Sequence, residues 1–192
     1  MEINDCTNKT DEELVRMTLE DKESYLCLMK RYEDKLLRYI LRISGLSRED
    51  AEDVLQDAFL KAYLNLNDFD LSLKFSSWIY RIVHNETISN FRKNKTHLLN
   101  QDFFYDEEKI KKIASESDLN KELDAKFLKE NINKIFERMD LKYREVLILK
   151  FIEEKSYEEI SDILKKPVGT VGTLVNRAKK QFKKIIDNKN II

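Results

Sequence analysis

Apolar residues recur at three- and four-residue steps through most of this chain and almost nowhere at every second position. From Lys22 to Ile43 the steps run through Tyr25, Leu28, Met29, Tyr32, Leu36, Tyr39, Ile40 and Ile43. That spacing turns one face of a long helix toward a core. Gly45 ends it, because glycine enters the left-handed C-terminal position at least cost. Upstream, Thr10-Asp11-Glu12-Glu13 reads as a capping box that opens a short helix. Downstream, Ser47 caps a third helix whose buried stripe is Ala51, Val54, Leu55, Ala58, Phe59, Ala62 and Leu66. A polar loop over Asn67 to Ser72 precedes a fourth helix, expected from about Phe75 to Lys95, with Phe75, Trp78, Ile79, Ile82 and Val83 at core spacing.

The pattern lapses over residues 97–122, which are polar and acidic apart from Phe103, Phe104 and Tyr105. Such a stretch reads as an interdomain tether. Periodicity returns at Leu123, Phe127, Ile132, Ile135 and Met139, and further helices are expected at about 142–153, 156–164 and 169–187. Ser156-Tyr157-Glu158-Glu159 is a second capping box. The fold class is therefore all-α: two small helical domains, 1–96 and 123–192, joined by the polar linker 97–122. With only 3 Gly and 1 Pro, the chain has few residues that break helices.

Charge adds a division that the net value of −1 conceals. Residues 1–70 carry ten basic and seventeen acidic side chains, whereas residues 165–192 carry eight basic and one acidic. A second basic stretch, residues 71–100, has five basic groups and one acidic. Two cationic stretches suggest two contacts with a polyanion, and the acidic region suggests a different partner. Cys6 and Cys27 match no metal spacing and no disulfide framework, so reduced thiols are expected. The polar, acidic N-terminal segment does not resemble a signal peptide, and no apolar run approaches the ~20 residues of a membrane span. Direct membrane insertion is not expected, and a cytoplasmic location is. His84 reads as a surface or partner-facing histidine, and neither it nor His97 has a companion ligand. No Gly-rich phosphate loop or nucleophile–base motif is present, so neither a cofactor nor an enzymatic activity is expected.

Two segments carry candidate chemistry. SYEEISDILKKPVGTVGTLVNRAKKQFKK, residues 156–184, has the form of a helix-turn-helix. A capped helix is broken at Lys165-Lys166-Pro167-Val168-Gly169, and a second helix then packs through Val171, Leu174, Val175 and Ala178. Thr170, Thr173, Asn176 and Arg177 fall on its exposed early turns, where hydroxyl, amide and guanidinium groups reach base edges or phosphates. Lys179 and Lys180, followed by Lys183 and Lys184, extend a cationic strip. In KFSSWIYRIVHNETISNFRKNK, residues 74–95, Trp78 reads either as core or as a stacking platform. Tyr80, Arg81, His84, Asn85, Arg92 and Lys93 are interleaved on other faces. Rings beside cations suit single-stranded DNA, because bases stack while Lys and Arg follow the phosphates.

Three blocks in this order, residues 48–70, 74–93 and 156–184, resemble the extracytoplasmic-function (ECF) group of bacterial sigma factors. The resemblance implies a role for each. Asp53, Gln56 and Asp57 look like the docking face for the β′ clamp helices of core RNA polymerase. The loop from Asp68 to Lys74 and the helix bearing Trp78, Tyr80, Arg81, Asn85, Arg92 and Lys93 look like the reader of the promoter −10 element. Asn85 stands where the family commonly has an Asn near a flipped base. The helix-turn-helix looks like the −35 reader, working against the β flap. Gly172 and Leu174 stand where many members carry polar or basic residues, so contacts at those two positions are missing. An anti-sigma factor is an implied partner. The competing reading is a stand-alone helix-turn-helix regulator, which would bind duplex DNA without polymerase. Gel shifts with and without core polymerase separate the two: the sigma reading expects a specific shift only when polymerase is present.

Overall fold

The computed structural model describes residues 6–94, 107–116 and 125–187, all helix or short turns with no strand among them. It divides into two compact units, Met1–His97 and Leu98–Ile192. The remainder of the 97–122 tether lies outside the described residues. Among those described, no helix is long and apolar enough to cross a membrane.

The first unit holds α1 (Asp11–Glu20), α2 (Tyr25–Ser44), α3 (Arg48–Leu64) and α4 (Phe75–Asn94). The Thr10 capping box is formed: the Thr10 hydroxyl accepts from the Glu13 N–H, and the Glu13 carboxylate accepts from the Thr10 N–H at 2.6 Å. Gly45 ends α2 in the left-handed conformation, φ 68°. Ser47 caps α3 by accepting from the Asp50 N–H. The core lies where α2, α3 and α4 meet, with Leu36, Tyr39, Ile40, Ile43, Ala58, Ala62, Phe75, Ile79 and Val83 fully or nearly buried. Tyr25, at the start of α2, donates its hydroxyl to the Phe59 carbonyl of α3 at 2.7 Å. Burial raises that phenol well above its ordinary pKa.

The second unit holds α5 (Glu107–Glu116), α6 (Ala125–Glu137), α7 (Leu141–Leu147), α8 (Tyr157–Leu164) and α9 (Val168–Asp187), and α7 runs on through a π-helical turn, Ile148–Ile152. Its core is built from Ile132, Ile135, Phe136, Val146, Leu147, Phe151, Ile160, Ile163, Val171, Val175, Ala178 and Phe182. Within the stretch read as aperiodic tether, α5 buries Ile110 and Ile113. Lys109 on α5 donates to the Ile152 carbonyl at 2.7 Å. Two isoleucines three residues apart give too short a repeat to stand out in a window of acidic and basic residues.

Two expectations are corrected. Cys6 and Cys27 are joined, with Cα atoms 5.7 Å apart, because the segment before α1 lies along α2. His84 is buried at 8% exposure, and its Nδ1 shares a 3.0 Å hydrogen bond with the Tyr39 hydroxyl. A polar ring enters a core when a hydrogen bond awaits it there, and the partner comes from another helix.

Phe75 sits at 1% exposure among Tyr32, Phe69 and Trp78. Phe75→Ala is expected to cost about 3–5 kcal/mol of stability, read by urea unfolding. The capping box adds a pH dependence. Glu13 is held below the usual carboxylate pKa, first by the Thr10 backbone hydrogen bond and then by its hydroxyl. A group whose pKa falls on folding contributes stability above its unfolded pKa and loses it as pH drops through the folded value. Glu13→Gln keeps the hydrogen bonds without the titration, so the gap between neutral and acid unfolding midpoints should narrow.

Candidate polymerase and promoter interfaces

On α3 the buried stripe fixes what faces outward. Ala51, Val54, Leu55, Ala58, Phe59 and Ala62 take the inner face. A helix turns 100° per residue, so Asp53, Asp57, Leu60 and Leu64 fall into one row on the opposite side. All four are exposed, Leu60 at 58% and Leu64 at 66%, and Gln56 flanks them. Neither Asp53 nor Asp57 makes an ion pair among the described residues. Lys61, one strip over, is instead paired with Glu86 of α4 at 2.6 Å. The acidic groups are legible in the sequence, whereas the two leucines of the row are not. The missed signal was their i, i+4 spacing, offset from the buried stripe.

The loop before α4 is pinned by aromatic packing. Phe69, buried, lies 5.6 Å from Phe75 and 5.1 Å from Trp78, centroid to centroid. Around it the chain closes a tight turn, in which the Asp70 carboxylate accepts from the Ser72 N–H at 2.9 Å. That backbone hydrogen bond, and then the Ser72 side chain, hold the Asp70 carboxyl below its usual range. Asp68 and Lys74 are exposed on the rims of this loop. Trp78 is half-buried, with Arg81 half-exposed and Asn85 exposed at positions i+3 and i+7 from it, so the three share one face of α4. Tyr80 does not join them. It points to the opposite side, at 3% exposure, and packs 5.2 Å from the Tyr39 ring. Its placement outside the core is thus corrected: it belongs to the buried stripe with Ile79, Val83 and Thr87. Arg92 and Lys93 fall in the last turn of α4, and their side chains lie outside the described residues.

In the second unit, α8 and α9 form the helix-turn-helix. Ser156 accepts from the Glu159 N–H and receives the reciprocal Glu159 cap, which opens α8. The break is made by Lys165, in the left-handed conformation at φ 52°, rather than by glycine. Ser161 Oγ donates to the Lys166 carbonyl at 2.5 Å. The Pro167 carbonyl then accepts the first helical hydrogen bonds, from the Thr170 and Val171 N–H groups. Gly169 therefore lies inside α9 and is not part of the break.

Val171, Val175, Ala178, Phe182 and Ile186 face the core from α9. Thr173, Asn176, Arg177 and Lys180, spaced i, i+3, i+4 and i+7, form the exposed row, with Thr170 exposed in the turn before. Thr173 donates its hydroxyl to the Gly169 carbonyl at 3.0 Å and keeps acceptor capacity. Lys179 departs from this row. It flanks the core, half-buried, and lies 3.7 Å from Glu116 of α5. At Gly172 an added Cβ would meet only the Tyr157 ring, at 3.7 Å. Among the described residues no group of three or more His, Cys, Asp or Glu side chains is placed to hold a metal ion.

A helical unit with an acidic outer row and an aromatic–amide face, followed by a helix-turn-helix unit, defines the architecture of a promoter-reading protein. Family models agree with each half: Sigma-70 region 2 matches residues 28–97, and Sigma-70, region 4 matches residues 129–182. The chain is 34% identical over 173 residues to the ECF RNA polymerase sigma factor SigW of Bacillus subtilis, spanning 85% of this chain and 89% of that one. It is 30% identical over 190 residues to the RNA polymerase sigma-H factor of Pseudomonas aeruginosa, spanning 94% and 95%. The chain belongs to the ECF family of RNA polymerase sigma factors. It is thus a subunit that binds core RNA polymerase and directs transcription initiation at promoters. The fold is shared with CnrH, solved in complex with the cytosolic domain of CnrY. That match has a TM-score of 0.68 at 21% identity and covers 95% of this chain and 100% of that one. It is shared also with the sigma factor RpoE from Bartonella quintana, solved with the anti-sigma factor NepR. There the TM-score is 0.60 at 19% identity, with 84% and 96% covered.

The non-glycine residue at the break yields a stability test. A left-handed L-residue costs about 1–2 kcal/mol that glycine avoids. Lys165→Gly is expected to raise the stability of the chain by about 1 kcal/mol in urea unfolding.

Proposed function

We propose that the three exposed rows divide the work of initiation. The row Asp53, Asp57, Leu60 and Leu64, with Gln56, docks on the β′ clamp helices of core polymerase. Its composition supports this reading: two exposed apolar side chains continuing an acidic row suit a protein partner, and the carboxylates steer toward a cationic one and away from DNA. Region 2 of this chain, residues 1–96, then reads and holds open the −10 element. Trp78, Arg81 and Asn85 supply a ring, a cation and an amide on one face, flanked by Asp68 and Lys74 and extended by Arg92 and Lys93. Holding an unstacked base costs a few kcal/mol, which stacking and amide contacts offset. Tyr80 acts from beneath, by supporting α4.

In region 4, residues 123–192, the row Thr170, Thr173, Asn176, Arg177 and Lys180 enters the major groove at the −35 element, close to the β flap. Lys179 acts as a bracing residue toward α5. The chain works in the cytoplasm, without cofactor and without an enzymatic step of its own, and an anti-sigma factor is its regulator. A relative of the same fold, the RpoE of Bartonella quintana, is bound by one.

The observation that carries this reading is the acid–leucine row, since a DNA-binding protein acting alone has no use for it. With Asp53→Lys and Asp57→Lys together, association with core polymerase is expected to fall at least tenfold in a pull-down, and promoter-directed transcripts should disappear. Unchanged association would overturn the docking assignment. Lys180→Ala should lower the salt dependence of −35 duplex binding by about one phosphate contact.

A further inference from the structure

Cys6 and Cys27 are 21 residues apart in the chain, yet the fold brings their Cα atoms to 5.7 Å and joins the sulfurs. That separation falls in the ordinary disulfide range of about 4.4–6.8 Å. Both residues are half-exposed, so a reagent in solution reaches them, whereas structural cysteines in a core are inert. None of the polymerase or promoter surfaces uses them.

What the pair holds is specific. Cys6 opens the short arm that leads into α1, and Arg31 on α2 gathers that arm. The Arg31 guanidinium donates to the Cys6 carbonyl at 2.8 Å, to the Lys9 carbonyl at 2.8 Å and to the Asp11 carboxylate at 2.7 Å. The other Asp11 oxygen accepts from the Tyr32 hydroxyl. The Tyr32 ring packs 5.6 Å from Phe75, which in turn contacts Phe69 and Trp78. A continuous set of contacts therefore runs from Cys6 to the loop and ring that open α4.

We propose that Cys6 and Cys27 form a thiol–disulfide switch that staples the N-terminal arm to α2, and through it braces the aromatic cluster under the −10 face, when the surrounding thiol pool turns oxidising. That the thiols start out reduced rests on the cytoplasmic sigma-factor reading, because disulfides in that compartment are mostly transient or redox-sensing. The oxidant is a low-molecular-weight disulfide. One cysteine thiolate attacks it, forming a mixed disulfide and releasing one small thiol. The second cysteine thiolate then attacks the protein sulfur of that mixed disulfide and releases the other small thiol. Two cysteines lose two electrons, one small disulfide gains them, and the two cysteine protons end on the two small thiols. Closing this loop restricts the unfolded chain, so the stapled form melts at higher temperature.

The test equilibrates the full-length chain against a series of reduced-to-oxidised glutathione ratios, without polymerase or DNA, so its outcome is separate from that of the functional reading. Free thiols are titrated, cross-linked peptides are mapped, and melting is followed by fluorescence of Trp78, the single tryptophan of the chain. Both thiols are expected to disappear together with an intrachain Cys6–Cys27 peptide, and the Trp78 melting midpoint to rise by on the order of 10 °C. Cys6→Ser and Cys27→Ser should each abolish the rise. Thiols that stay free across the series, that end in glutathione adducts or intermolecular dimers, or a cross-link that leaves the midpoint unmoved, would each overturn the proposal.

Discussion

The burial of one stripe on each helix is the constraint on which the rest of this molecule depends. A helix places its residues at fixed angles, so the choice of inner face leaves no freedom over the outer one. Once Ala51, Val54, Leu55, Ala58 and Ala62 pack against α2 and α4, the Asp53–Leu64 row has to face solvent. Once Val171, Val175, Ala178 and Phe182 enter the second core, Asn176, Arg177 and Lys180 have to stand in line on the other side. These exposed rows are thus by-products of packing, and their precision is that of the cores beneath them.

The three surfaces differ in how firmly they are held. The acid–leucine row rests on a rigid helix, as does the row on α9. The loop before α4 has no helix of its own and depends on Phe69, which anchors it to Phe75 and Trp78. Aromatic pairs at these spacings contribute more than their buried area alone, because ring edges and faces attract. The half-buried Trp78 ring is therefore also part of what fixes the loop beside it. On α3 two leucines stand exposed in one row with two carboxylates that make no ion pair among the described residues.

Where the residue pattern misled, the cause was long-range contact. Tyr80 and His84 are each followed by a polar residue, Arg81 and Asn85, and the approach of Tyr39 from α2 gives both a buried partner. Lys179 belongs to a run of lysines, but the register of α9 sets it beside the buried stripe, where it lies 3.7 Å from Glu116 on α5. That helix was itself hidden in an acidic stretch with two buried isoleucines. The glycine-and-proline break was located correctly, but Lys165 makes the reversal and Gly169 does not.

By itself the sequence determined the helical class, the number and approximate limits of most helices, both capping boxes, the helix-turn-helix, the acidic and basic surfaces and the family. Each of these follows from contacts within a few residues or from local composition, which the chain carries in its own order. Only the tertiary structure decided which polar rings are buried, which lysine is spent on an ion pair, that two leucines join the acidic row on the surface, and that Cys6 meets Cys27. These depend on the meeting of segments tens of residues apart, and no local repeat encodes that geometry.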